Sequence, residues 1–324
     1  MTTIAPVDVD GFVVRAGFIN ASPFFACGSG TVHVVAGSVA DIAAHRGGLL
    51  AARPALDGRS LISSGDDGRV VRIDETGEVT LLSERARKWI DLLACGPSGA
   101  VAFAAGRTAW VRFSDGREKE FSFDRAVGGL AFAPKGLRLA VARYDGVSLT
   151  WANAGGDPVE LSWKGAHLDV SFSPDGKYLV TTMQENALHG WRLSDAQDMR
   201  MTGYPSKVKS WSWSRKGRYL ATAGATAAVL WPFTGKTGPM GQTPLQLGTR
   251  GDALVTCVAC HPKEDVVAIG YGDGMVLMGR FEDQAEVLLR RPGQAAITTL
   301  GWDADGLRLV FGSEDAEAGV ISLQ

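Results

Sequence analysis

Short apolar stretches alternate with small or polar positions along the whole chain, and turns rich in Gly, Pro and Asp separate them. One phrase recurs: an apolar stretch, a turn of the x-Pro-Asp-Gly type, a second apolar stretch, a Gly/Asp turn, and a third. The clearest copy runs Val170-Ser171-Phe172-Ser173-Pro174-Asp175-Gly176-Lys177-Tyr178-Leu179-Val180. Leu130 to Gly136, Trp211 to Gly217 and Leu300 to Gly306 repeat it, and Leu93 to Gly99 and Val258 to Glu264 are weaker copies. Ala55-Leu56-Asp57-Gly58 keeps only the turn, and Asn20-Ala21-Ser22-Pro23 is the most degraded copy. Phe132, Phe172, Trp213 and Trp302 share one register with small residues between, which is the period-2 signature of strands. A second strand follows each turn, as in Leu179-Val180-Thr181-Thr182, and then a Gly- or Asp-bearing turn such as Asp66-Asp67-Gly68 supplies the positive φ of a tight hairpin. No window of any length has helical periodicity.

The turns end at 23, 58, 99, 136, 176, 217, 264 and 306, a period of roughly forty residues. The third strand often ends in Trp, at 151, 191 and 231, and a more polar fourth strand follows, such as Val159-Glu160-Leu161-Ser162-Trp163. Four short strands per forty residues predict the blade of a β-propeller.

The Ser-Pro-Asp-Gly turn, the Trp closing the third strand and the Asp-Gly turn before it resemble the bacterial WD-repeat (WD40) family over essentially the full length. The resemblance implies an all-β, WD40-type β-propeller of four-stranded antiparallel blades. Two departures stand out. No third-strand Trp is followed by Asp, the nearest relic being Ile73-Asp74, and the family's Gly-His survives only as Ala44-His45. Most blades thus lack the usual residues of the family's hydrogen-bonded tetrad. Eight second–third strand pairs favour eight blades, with the family's common seven as the alternative. The last repeat lacks an outer strand, and the segment Ile4 to Val9 precedes the first inner strand. Pairing the two closes the propeller and removes two open sheet edges. Residues 1–324 then form a single domain.

Composition narrows the function. Lys plus Arg is 33 and Asp plus Glu is 35, a net charge of −2, whereas a nucleic-acid-coating protein carries a basic excess. No apolar run is long enough to span a membrane, and the first residues lack the pattern of a secretory signal. Four Cys in such a chain fit free thiols in a reducing cytoplasm better than a disulfide framework.

In a propeller of this topology the outer-to-inner connections and the second-to-third turns share one face. The connections are basic (Arg46, Arg85, Arg87, Lys88, Arg125, Lys164, Lys207, Lys209, Arg250, Arg290, Arg291), and the turns carry Asp66, Asp67, Asp145, Glu185, Asn186, Asp273, Glu314 and Asp315. Cation–carboxylate pairs between the two sets can replace the family's His–Asp bond. The same loops also make a rim on which a partner protein can dock, with Arg46, Arg87, Trp89, Tyr144, Lys164, Tyr204, Lys207, Tyr271 and Arg290 as candidate contacts.

Cys257-Val258-Ala259-Cys260-His261 matches the c-type haem attachment motif by letter. Residues three apart on a strand point to opposite faces, so Cys257 and Cys260 diverge, and Cys260 takes the register position of Phe132 and Trp213. Buried structural thiols are the favoured reading and no cofactor is expected. Zinc at Cys257, Cys260 and His261 is the alternative. No phosphate-binding loop and no Gly-x-Ser-x-Gly elbow exists.

These features predict a non-enzymatic, monomeric protein-interaction scaffold of the bacterial cytoplasm that binds unidentified proteins, and neither nucleic acid nor membrane. For some bacterial members the resemblance implies an accessory role in metal (zinc) homeostasis, which is the first alternative. A hydrolase working in the central channel is the second.

Overall fold

The computed structural model describes residues 2–323. Apart from one 3-10 turn, Pro97–Gly99, the regular elements are all strands. They divide between two compact units.

One unit takes the chain up to Ile42 and from Gly203 onward. It holds four antiparallel four-stranded sheets. The first is Val13–Ile19, Ser22–Cys27, Thr31–Ala36 and Ser38–Ala43, and the second is Trp211–Trp213, Tyr219–Thr222, Ala228–Pro232 and Leu245–Leu247. The third is Val255–Cys260, Val266–Tyr271, Val276–Arg280 and Glu286–Arg290. The fourth combines Ile297–Trp302, Arg308–Ser313 and Glu317–Ser322 with the N-terminal strand Thr3–Asp8. That strand pairs antiparallel with Glu317–Ser322 from Thr3↔Ser322 to Asp8↔Glu317, so the head of the chain supplies the outer strand its tail lacks. Pro6 is tolerated there because the strand is at the sheet edge, where a missing N–H breaks no ladder.

The other unit, Ala43–Thr202, holds three sheets. Two are four-stranded: Leu49–Pro54, Ser60–Gly65, Arg69–Asp74 and Val79–Glu84; then Leu92–Cys95, Val101–Ala105, Thr108–Arg112 and Glu118–Ser122. The third has six strands: Val127–Phe132, Arg138–Trp151, Val159–Phe172, Tyr178–Met183, Leu188–Arg192 and Gln197–Met201.

The chain is thus all-β, built of antiparallel blades of the propeller type, and the eight separate blades favoured by the repeat count are corrected to seven sheets among the described residues. The reason lies in two strands of 14 residues each. Arg138–Trp151 pairs with the strand before it through Leu139 to Arg143 and with the strand after it through Tyr144 to Leu149. Val159–Phe172 likewise pairs backward through Ala166 and forward from His167. Two consecutive repeats therefore share one continuous ladder.

The core lies between neighbouring sheets. Where the fourth sheet of the first unit meets the first, Val7, Val13, Phe18, Phe25, Val310 and Val320 pack together. Each such side chain contributes roughly 1.5–3 kcal/mol by leaving water. Polar bonds stitch the same seam: Thr298 Oγ1 donates to Val13 O at 2.6 Å, and Ala16 N–H donates to Thr299 Oγ1 at 3.2 Å. The strands approach this closely at glycines: a Cβ on Gly301 would fall 2.8 Å from Ala16 O.

Candidate functional site

Three polar sets tie strands to the segments beside them. His45 Nδ1 lies 3.1 Å from Asp67 Oδ1, and its Nε2 lies 2.9 Å from Ser63 Oγ. Asp67 also accepts the backbone N–H groups of Arg46 and Arg69, each at 3.0 Å. Burial opposes ionisation of Asp67, but those two N–H groups and the His45 ring outweigh it and hold the carboxyl below its ordinary value. In the second set, His167 Nδ1 lies 2.7 Å from Thr181 Oγ1. In the third, Trp231 Nε1 donates to the Tyr204 hydroxyl at 2.6 Å, and that hydroxyl lies 2.6 Å from Thr222 Oγ1. His45 precedes Ser63 by 18 residues and Tyr204 precedes Thr222 by 18, so Tyr204 takes the histidine position of its repeat.

This corrects the rim in two places. Tyr204 and Tyr271 are buried, and both are structural. The Tyr271 hydroxyl donates to Gly248 O, and its ring lies 5.3 Å from the Arg250 guanidinium. Arg250 itself bridges Asp273 at 2.7 Å and Asp252 at 2.9 Å, as expected for a cation–carboxylate substitute of the His–Asp bond. Arg290 is spent in the same way, on Glu317, Gly274 O and the face of Phe311 at 5.0 Å. Arg85 binds Glu118 and stacks over Trp110 at 5.0 Å.

What remains exposed is concentrated in the unit Ala43–Thr202. The segments 45–48, 65–68 and 85–90 are laced together: Asp66 N–H donates to Gly48 O, Arg85 N–H to Gly68 O, and Ile90 N–H to Gly65 O. Gly68 sits at φ +77°, and a Cβ there would fall 2.2 Å from Arg85 O, so only glycine allows this crossing. On this base Arg46, Arg87, Lys88 and Trp89 all face solvent, the Trp89 side chain at 71% exposure. Among the described residues none of the three cations forms an ion pair. In the same unit Tyr144, Asp145, Ser162, Trp163 and Lys164 line an open depression of about 600 Å³, with Arg125 over the Tyr144 ring at 6.0 Å. Beneath it Trp163 stacks on the buried His189 at 4.0 Å. Among the described residues neither ring nitrogen of His189 has a hydrogen-bond partner, and burial pushes its pKa down to about 3. Lys207 is exposed in the other unit.

The sequence candidates for metal are not assembled. Cys257 is fully packed, its Sγ only 2.6 Å from where a Cβ on Gly270 would stand. Cys260 Sγ faces Ser212 O at 3.3 Å instead. The His261 ring is consumed on both edges: Nδ1 accepts the N–H of Glu264 at 2.9 Å and Nε2 donates to Gly306 O at 3.0 Å. Neither zinc nor haem fits three residues so placed. A different donor set, Asp10, Cys27 and His33, does converge, although no sequence spacing marks it.

These sheets and polar sets define a WD40-type β-propeller repeat fold. No family model matches the chain. Solved structures with the same fold include the C-terminal WD40 domain of Sif2 (TM-score 0.81, 12% identity, covering 100% of this chain and 99% of that one) and the computationally designed Ika8 protein (TM-score 0.79, 18% identity, 98% of both). The WD40 repeats of RRP9 align at TM-score 0.65 and 17% identity, over 86% of this chain and 96% of that one. In sequence, a 69-residue stretch, 21% of the chain, is 36% identical to the pre-rRNA-processing protein IPI3 of Mycosarcoma maydis and spans 12% of that protein's length.

Proposed function

We propose that this chain is a non-enzymatic scaffold that binds a protein partner through the Arg46–Arg87–Lys88–Trp89 patch, and that it does so as a monomer in the bacterial cytoplasm. One observation carries the reading. Most of the other connecting-loop arginines are drawn inward onto a carboxylate or an aromatic ring, whereas these three cations stand exposed and outside any ion pair among the described residues, on the interlaced loops that carry a Trp that is 71% exposed. Trp and Arg are the residues that most often anchor interfaces, and cations of this kind select an acidic segment. The similarity to WD40 structures supports a binding role in general, and the pre-rRNA-processing relative names a setting in which partners are to be sought. A net charge of −2 favours a protein ligand over RNA.

The test is affinity purification with the wild type and with Arg87→Ala/Trp89→Ala. Both positions are exposed, so stability should move by no more than about 0.5 kcal/mol. A protein recovered with the wild type and lost with the variant supports the proposal. Retention by the variant, or recovery that ribonuclease abolishes, overturns it.

A further inference from the structure

Asp10, Cys27 and His33 offer one carboxylate oxygen, one thiol sulfur and one imidazole nitrogen, all within 4.8 Å of one another. They come from three places in the first sheet: the segment before its inner strand, the end of Ser22–Cys27, and the middle of Thr31–Ala36. The Gly28-Ser29-Gly30 turn brings Cys27 and His33 together across one hairpin.

The hydrogen bonding around His33 is that of a ligand. Its Nδ1 lies 2.8 Å from Asp41 Oδ1, and a carboxylate there demands a proton on Nδ1. Nε2 then carries the lone pair; the Asp10 N–H approaches it at 3.3 Å, a long contact that an ion bound there would displace. Yet Asp10 Oδ1 stands 3.0 Å from the same Nε2. Two lone pairs face each other at that distance only when a cation, either a proton or a metal ion, lies between or beside them. A buried thiol completes the half-circle, and Cys27 and His33 are both almost entirely withdrawn from solvent. The Asp10 side chain remains 41% exposed and gives an ion its way in.

We infer that Asp10, Cys27 and His33 bind one divalent transition-metal ion of the zinc class, with Asp41 holding the His33 ring in the ligating tautomer. Sulfur, imidazole and carboxylate together select zinc or cobalt over magnesium or calcium, which prefer oxygen. Tetrahedral bonds of about 2.0–2.3 Å place donors about 3.3–3.8 Å apart, so the side chains need move only slightly. Water fills the fourth position on the Asp10 side. Binding exchanges the Cys27 S–H bond for a sulfur–metal bond and releases that proton to solvent. The site lies in a different unit from the Arg46–Trp89 patch and does not depend on it.

The purified chain is titrated with Zn²⁺ against a chromophoric chelator, with pH recorded in weak buffer, and separately with Co²⁺ while the visible spectrum is read. One equivalent bound per chain, release of at least the Cys27 proton together with any proton held between Asp10 and His33, and a thiolate-to-cobalt charge-transfer band are expected. Cys27→Ser should abolish the band, whereas Cys257→Ser should keep it. Asp41→Asn should weaken Zn²⁺ by about 10–100-fold, the usual effect of removing an orienting partner. Should the buried Cys27 variant fail to fold, Asp10→Asn at its half-exposed position carries the test, with at least a tenfold loss expected. Substoichiometric metal, or an affinity that Asp10→Asn leaves unchanged in a folded protein, overturns the assignment.

Discussion

The indole N–H of Trp231 ends on the hydroxyl of Tyr204, 2.6 Å away, and Thr222 meets that hydroxyl from the other side at the same distance. Trp231 closes a third strand, Thr222 lies on the second, and Tyr204 reaches in from the connection before the sheet. One oxygen therefore ties three segments of a repeat together. Tyr204→Phe keeps the ring and leaves the Trp231 N–H without its acceptor. It should cost about 1–2 kcal/mol, toward the low end because Trp231 is only half-buried. Urea unfolding measures this, and a double-mutant cycle with Thr222→Val should give a coupling clearly different from zero.

Acid should weaken the fold through its buried histidines. Burial lowers the pKa of His189 from 6.5 to about 3, and lowers His45 and His167 as well. In each case the unfolded chain takes up the proton first as pH falls. The stability these neutral rings allow is complete above about pH 6.5 and is lost below it, by up to about 1.4 kcal/mol per pH unit for each ring. For His189 the loss continues down to about pH 3. His189→Phe preserves the stack on Trp163 and should shrink the difference in unfolding free energy between pH 7.5 and 4.5. An undiminished difference would assign the acid sensitivity to other groups.

Cys257 and Cys260 should prove silent in metal analysis. Cys257→Ser places a hydroxyl in a buried apolar cluster, with only the Thr256 side chain and the Gly270 backbone near enough to receive it, and should destabilise by about 1–3 kcal/mol in a thermal or urea melt. Cys260→Ala should leave metal content unchanged by elemental analysis.

Deleting residues 2–8 should uncover the edge of Glu317–Ser322 and remove Val7 from its cluster. The expected outcome is a lower denaturation midpoint with concentration-dependent association in light scattering, since an open edge recruits another chain. A truncated chain that stays monodisperse and equally stable would show the terminal pairing to be dispensable.

The strands were legible because each repeat writes the same turn and alternation, from Pro174-Asp175-Gly176 to Asp305-Gly306. The sheet count was not. Whether a ladder stops at Tyr144-Asp145-Gly146 or runs through it depends on backbone pairing that the same letters permit either way. The pairing of head and tail followed from a missing strand and a spare one. For the rim candidates only exposure can be compared, and it agrees at Trp89. Tyr204 reads like a rim aromatic, and the signal that places it inside is its distance of 18 residues from Thr222, shared by His45 and Ser63. Cys257 and His261 were conspicuous by their spacing and are chemically idle. Asp10, Cys27, His33 and Asp41 carry no motif because a sheet, not a helix or a loop, assembles them.

The ladder joining Thr3–Asp8 to Glu317–Ser322 also has a meaning in time. During synthesis Thr3–Asp8 is made long before Glu317–Ser322, the strand it pairs with, and waits for it. Until then its hydrogen-bonding groups have only water, or the edge of some other nascent chain, to answer them. Closing so long a loop costs only a few kcal/mol, so the delay, rather than the entropy, is the hazard. Cells that make this protein have reason to shield Thr3–Asp8 until Glu317–Ser322 has been made.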